Sequence, residues 1–122
     1  MLKLYTYKGC STCRAALKWL RDAKVPFVEV PIRETPPSVA ELEAALKAYD
    51  GKLGSLFNTS GQDYRALGLK DRMPRMKLTE ALALLNENGN LVKRPFAADA
   101  DRSLYLVGFR EETWAAALSQ PG

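Results

Sequence analysis

The chain has 122 residues, 47% of them apolar and 26% charged, with a formal net charge of +4. That length supports one domain with a core of its own, and the composition excludes a disordered or fibrous chain. No stretch approaches the roughly 20 apolar residues of a membrane span, Met1-Leu2-Lys3-Leu4-Tyr5 lacks the apolar h-region of a signal peptide so that none is expected, and the absence of histidine excludes imidazole catalysis and histidine metal sites.

The expected address is the cytoplasm, where two cysteines three apart are more often redox-active or metal-binding than a permanent staple. The 18 Lys and Arg residues are spread along the chain rather than gathered into a run, so direct nucleic-acid binding is not expected.

Leu2 to Thr6 reads as a buried first strand, ended by the Lys8-Gly9 turn. A helix is predicted from about Ser11 to Ala23, with Ala16, Leu20 and Ala23 on one face, Trp19 beside them, and Arg14, Lys18 and Arg21 pointing elsewhere. Lys24-Val25-Pro26 stops it, and Phe27 to Val30 is a second strand. Strand, helix, strand within about thirty residues is a right-handed parallel crossover, which makes these two strands neighbours.

Ser38-Val39-Ala40-Glu41 is a capping box ahead of Leu42, Ala45, Leu46 and Tyr49, and Asp50-Gly51 closes that helix. From Leu53 to Asn88 the pattern stays helical but broken. It runs through Leu56-Phe57 and Tyr64 to Leu67, a polar link at Lys70 to Pro74, and Leu78, Leu82 and Leu85, with Asn88-Gly89 as the stop. A third strand is expected from Leu91-Val92 and Pro95-Phe96-Ala97, a turn from Ala98 to Arg102, and a fourth strand from Leu104 to Val107, antiparallel to the third. Glu111-Glu112 opens a final helix that turns Trp114 and Leu118 to the core.

Chemistry concentrates in Gly9-Cys10-Ser11-Thr12-Cys13-Arg14. Cys10 would stand just before the helix and Cys13 one turn in on the same side, so a disulfide between them is sterically reasonable. The helix start and Arg14 place positive charge beside the Cys10 sulfur, which makes Cys10 the exposed nucleophile and Cys13 the resolving thiol. Ser11 and Thr12 are small and polar and leave room for a substrate.

Two other readings fit the same pair. It could be half of a zinc site, which would need carboxylates or a second protomer for its remaining ligands, or two small core residues. Arg94-Pro95 is the second site. A cis bond there would aim a guanidinium, a bidentate anion ligand, into the end of the sheet, while a trans bond would leave an ordinary strand-edge arginine.

Three segments, in order, resemble the ArsC/Spx family, the arsenate-reductase-related branch of the thioredoxin fold. Leu4-Tyr5-Thr6-Tyr7-Lys8-Gly9-Cys10-Ser11-Thr12-Cys13-Arg14-Ala15-Ala16 is similar to its redox segment, and Leu56 to Ser60 with Tyr64 to Leu69 to its helical middle. Leu91-Val92-Lys93-Arg94-Pro95 with Leu106-Val107-Gly108-Phe109 is similar to its C-terminal strands. The resemblance implies an α/β, thioredoxin-like mixed four-stranded sheet in the order 2-1-3-4, with a helical insertion at about 36–89 between strands 2 and 3, all in one domain over 1–122. It further implies that Cys10 is the nucleophile, that Arg94 contacts an oxyanion, and that Pro95 is a cis proline facing the redox loop.

Two departures accompany the likeness. Ser60 stands near where true arsenate reductases of this type carry a second anion-binding arginine, and Val107 where they carry a third. Cys13 is absent from the single-cysteine reductases, which rely on glutathione and glutaredoxin. Spx regulators use a Cys-x-x-Cys switch while binding the C-terminal domain of the RNA polymerase α-subunit, and Asp50-Gly51 resembles the glycine region of that contact, so Gly51 is a partner-binding candidate.

The expectation is a thiol-disulfide oxidoreductase with no bound cofactor, fed by an external thiol (glutathione with glutaredoxin, or thioredoxin), acting as a monomer on a disulfide or an oxyanion. The alternative is a Spx-like redox-sensing regulator. Ser11, Thr12, Arg14 and Pro95 complete the expected substrate-binding set.

Overall fold

In a computed structural model of the chain, residues 1–118 are described. Four strands, β1 (Leu2–Thr6), β2 (Phe27–Pro31), β3 (Phe96–Asp99) and β4 (Leu104–Val107), form one mixed sheet in the order β2-β1-β3-β4. β1 and β2 run parallel through the crossover helix α1 (Ser11–Asp22), and β1–β3 and β3–β4 are antiparallel. This is the thioredoxin-like arrangement expected.

Period-two alternation explains how the sheet carries two cores. Leu2 and Leu4 of β1, Ala97 of β3 and Leu106 of β4 face α1 and the final helix, α6 (Glu111–Leu118), where they pack on Ala16, Leu20 and Trp114. Tyr5, Phe96, Ala98 and Val107 face the opposite way, onto α2 (Val39–Ala48) and α5 (Leu78–Glu87), against Leu42, Ala45, Leu46, Leu82 and Leu85. Each fully buried leucine in these layers contributes about 1.5–3 kcal/mol of apolar transfer. Among the described residues no helix is long and apolar enough to cross a membrane.

Glu41 ties α2 to the sheet. As the third residue of the helix it accepts the Ser38 N–H in the capping box, and the same carboxylate accepts the Tyr5 hydroxyl at 2.7 Å and pairs with Lys3 at 2.9 Å. Burial works to raise its pKa, but the Lys3, Ser38 and Tyr5 contacts outweigh that and hold it below the usual carboxylate range.

Between α2 and α5 the chain makes two short helices, α3 (Gln62–Ala66) and α4 (Leu69–Arg72). Three readings change here. Lys70 to Pro74 is not a polar link but α4 running into a 3-10 turn at Met73–Arg75. Phe57 is not helical: it is extended and bridges Val92. Leu91-Val92 is not part of β3, because the Asn88 side chain accepts the Asn90 N–H and winds Gly89–Leu91 into a 3-10 turn.

At the other end, Ala98 and Asp99 belong to the strand, not to the turn, which is confined to Ala100–Arg102. Asp99 tolerates burial there because Arg102 donates to its carboxylate at 2.9 Å.

Candidate active site

The two cysteines sit where the C-terminal end of β1 feeds α1. Cys10 is the N-cap of α1, and its sulfur accepts the Cys13 N–H at 3.2 Å, the position that Ser or Asp fills in most helices. The Cys10 N–H donates to the Tyr7 carbonyl at 3.1 Å and its own carbonyl accepts the Arg14 N–H, so both faces of the residue are fixed. Cys10 is half-buried and Cys13 is 1% exposed; both are free thiols. Ser11 and Thr12 are exposed on the first turn of α1, and Arg14 reaches back to donate to the Lys8 carbonyl at 3.0 Å, clamping the turn.

Burial pushes the Cys13 thiol up to about 12, and its hydrogen bond to Cys10 acts in the same direction; a backbone hydrogen bond from Tyr7 and the charge of Arg94 oppose the shift. Burial is the larger cause and belongs to the fold itself, while the smaller part due to Cys10 depends on the state of that sulfur.

An acid whose pKa is raised on folding stabilises the fold below its unfolded value and loses that contribution as pH climbs through the folded value. For Cys13 the window opens near 9 and closes near 12. Tyr5, whose phenol burial raises from 10.0 to about 12, adds to the same alkaline loss. The melting temperature of the wild type is therefore expected to fall further than that of Cys13→Ala between pH 7.5 and pH 10.5. A difference between the two proteins that does not change with pH would refute the Cys13 assignment.

Arg94 reaches the loop through strand register. Tyr5 pairs with Phe96 across the antiparallel β1–β3 ladder, and continuing that register two residues sets Arg94 opposite Tyr7. The Arg94-Pro95 bond is cis, and the Pro95 carbonyl accepts the Gly108 N–H at 2.8 Å, which fastens the proline to the end of β4. The Arg94 guanidinium carbon lies 5.0 Å from the centre of the Tyr7 ring.

A second guanidinium shares that ring, and sequence reasoning missed it. Arg33 lies 3.7 Å from the ring centre and donates its Nε to Asn90 at 2.7 Å. Gly9 lets the ring lie over the loop, since a Cβ there would meet Tyr7 Cε2 at 2.7 Å. The signal available in the sequence was positional: Tyr7 follows β1 and Arg33 follows β2, and parallel neighbours bring those two exits side by side.

Neither position matched to the family's other arginines is itself an arginine, though the Arg65 guanidinium lies against Ser60. Ser60 is exposed and its carbonyl accepts from Arg65 at 3.0 Å, and Val107 is engaged by Tyr49 through both its N–H and its carbonyl. Gly51 lies outside this constellation of contacts: it ends α2 with φ +73°, its N–H on the Leu46 carbonyl, in an exposed turn with open space around it.

Known proteins carry the same plan. The ArsC family model matches residues 5–117. The chain is 42% identical to the uncharacterised protein YusI of Bacillus subtilis over 118 residues, 93% of this chain and 98% of that protein. It is 34% identical to the global transcriptional regulator Spx of Enterococcus faecalis over 113 residues, 92% of this chain and 82% of Spx. A crystal structure described as a possible arsenate reductase from Streptococcus mutans superposes with a TM-score of 0.83 at 39% identity, covering 90% of this chain and 92% of the other. With the sheet order, the dithiol at the head of α1 and the family match over nearly the whole sequence in agreement, the chain belongs to the ArsC family.

Proposed function

We propose that the protein is a thiol-disulfide oxidoreductase using Cys10 and Cys13, with electrons supplied by an external thiol and no bound cofactor. The observation that carries this is the dithiol itself: a half-buried Cys10 at the head of a helix, its sulfur accepting the N–H of a buried Cys13 one turn on. Helix N–H groups and the dipole stabilise negative charge on that sulfur.

In the reaction, the Cys10 thiolate attacks one sulfur of a disulfide R–S–S–R, forming Cys10–S–S–R and expelling RS⁻. Cys13, losing its proton, then attacks the Cys10 sulfur, expels the second RS⁻ and closes a Cys10–Cys13 disulfide. The substrate gains two electrons and the protein loses two; a dithiol donor such as thioredoxin, or glutathione with glutaredoxin, restores the resting state. Arg94 supplies positive charge at the mouth of the site, where a departing thiolate or an oxyanion would form. A disulfide fits better than arsenate, because Ser60 and Val107 stand where the family's arsenate reductases carry their second and third anion-binding arginines.

The test is a coupled reduction assay with each donor in turn, run on hydroxyethyl disulfide and on arsenate. Turnover of the disulfide with either donor is the expected result. No turnover of either substrate with any donor would sink the proposal.

A second reading, a redox-sensing regulator, draws on the 34% identity to Spx and on the exposed Gly51 turn. It requires that oxidised and reduced protein bind the RNA polymerase α-subunit differently, and that Gly51→Arg abolish the binding. A pull-down blind to redox state removes it.

A further inference from the structure

Beside the redox loop runs an open groove of ≈ 630 Å³, lined by Thr6, Tyr7, Lys8, Glu29, Pro31, Arg33 and Glu34. It lies between the exits of β1 and β2, and Lys8 at its rim is two residues from Cys10. Its volume is that of a site for a small organic molecule rather than a bare ion.

The charges in it are balanced. Two cations, Lys8 and Arg33, stand with two carboxylates, Glu29 and Glu34. Such a groove has no net pull on a simple oxyanion, but it offers complementary partners to a molecule bearing both signs.

Arg33 is the fixed point of the groove. Its guanidinium is stacked on Tyr7 at 3.7 Å and anchored through Nε to Asn90, while its two Nη groups donate to nothing among the described residues. The anchor is itself held: the Asn90 N–H is on the Asn88 side chain and its Nδ2 donates to Asp63 at 3.4 Å. A planar guanidinium with a stacked face, an occupied Nε and an open edge is pre-organised for a carboxylate, which it can meet through two parallel hydrogen bonds. Across the groove, Glu29 is oriented by the Thr6 hydroxyl at 2.6 Å, which leaves its second oxygen and the Glu34 carboxylate for an ammonium.

We infer that this groove binds the zwitterionic α-amino-acid end of a small, peptide-like thiol compound, with Arg33 taking its carboxylate and Glu34 its ammonium, so that its sulfur is delivered to Cys10. The inference rests on the thiol-disulfide reading for the identity of the sulfur, and the groove can be tested without it.

The experiment titrates the reduced protein with S-methylglutathione, a thioether that cannot exchange, and follows backbone amide shifts by NMR. Two analogues are titrated in parallel: 3-(methylthio)propionic acid, which has only the carboxylate, and 3-(methylthio)propylamine, which has only the ammonium. Shifts centred on residues 6–8 and 29–34 are expected with S-methylglutathione. Affinity should drop about tenfold in Arg33→Ala and in Glu34→Gln, and each single-charge analogue should bind about tenfold more weakly than the zwitterion.

Absence of shifts in the groove, or affinity unchanged in both variants, overturns the inference. The hydroxyethyl disulfide assay separates the two claims. A protein that binds the thioether through Arg33 but reduces no disulfide keeps the groove and loses the reductase, whereas one that reduces hydroxyethyl disulfide without binding the thioether keeps the reductase and loses the groove.

Discussion

Cys13→Ser protein exposed to a small disulfide is expected to stop at the mixed disulfide on Cys10, gaining the mass of one RS group, while the wild type passes on to the internal disulfide and gains none. Cys10→Ser is expected to reduce turnover to background, a loss on the order of 10³-fold or more, because a hydroxyl does not replace a thiolate nucleophile. The pair of variants is clean for a structural reason. Cys10 is the helix N-cap, and serine is a better cap than cysteine, so Cys10→Ser keeps the hydrogen bond to the Cys13 N–H and the fold with it.

Cys13 is buried and makes no cap, so its replacement by serine puts a hydroxyl where the Cys10 sulfur and the Tyr7 backbone are at hand as partners. Intact-mass spectrometry reads the adduct directly. Turnover that survives in Cys10→Ser, or an adduct that forms on Cys13 in preference to Cys10, would reverse the roles assigned to the two thiols.

How far the sequence reached depended on how local the determining contact is. The helix start at Cys10 and the alternation in Leu2, Leu4 and Tyr5 are set by neighbours in the chain, and both were legible. Arg94 beside the loop was legible through the family likeness, and strand register supplies the physical reason.

Leu91-Val92 looked like strand because both are apolar, yet the Asn88 side chain bends that segment and Val92 is left to pair with Phe57, 35 positions earlier. Ala98-Asp99 looked like a turn because of its composition; the burial of Ala98 between its strand partners Lys3, distant in sequence, and Tyr105 decides otherwise, with Arg102 meeting the Asp99 carboxylate locally. The Arg33–Tyr7 stack was the least legible feature of the site. It needs two loops to leave parallel strands side by side and a third, carrying Asn90, to hold the arginine.

That third loop gives the largest expected effect on stability, in Gly89→Ala. A Cβ at Gly89 would lie 1.9 Å from the Ile32 carbonyl oxygen, 2.7 Å from its carbon and 3.2 Å from Arg33 Cα, all of them backbone atoms that no rotamer change can move. Neither side can retreat cheaply. The Ile32 side chain is wholly buried and its N–H is bonded to the Thr6 carbonyl at 2.9 Å, while the residues after Gly89 carry Leu91 and Val92, both at 0% exposure.

The clash is therefore expected to cost about 3 kcal/mol or more, lowering the melting temperature by roughly 10 °C. The natural control is Gly54→Ala, where a Cβ meets nothing within 4 Å and φ is not positive; there the change is expected to be neutral or to stabilise by about 0.4–1 kcal/mol through the unfolded chain. Because Gly89 holds Asn90 against Arg33, any folded Gly89→Ala protein should also weaken S-methylglutathione binding in the groove, which Gly54→Ala should leave intact. Thermal unfolding of the two variants side by side decides it, and a Gly89→Ala protein within about 1 kcal/mol of wild type would mean that the contact between the two loops is softer than its geometry implies.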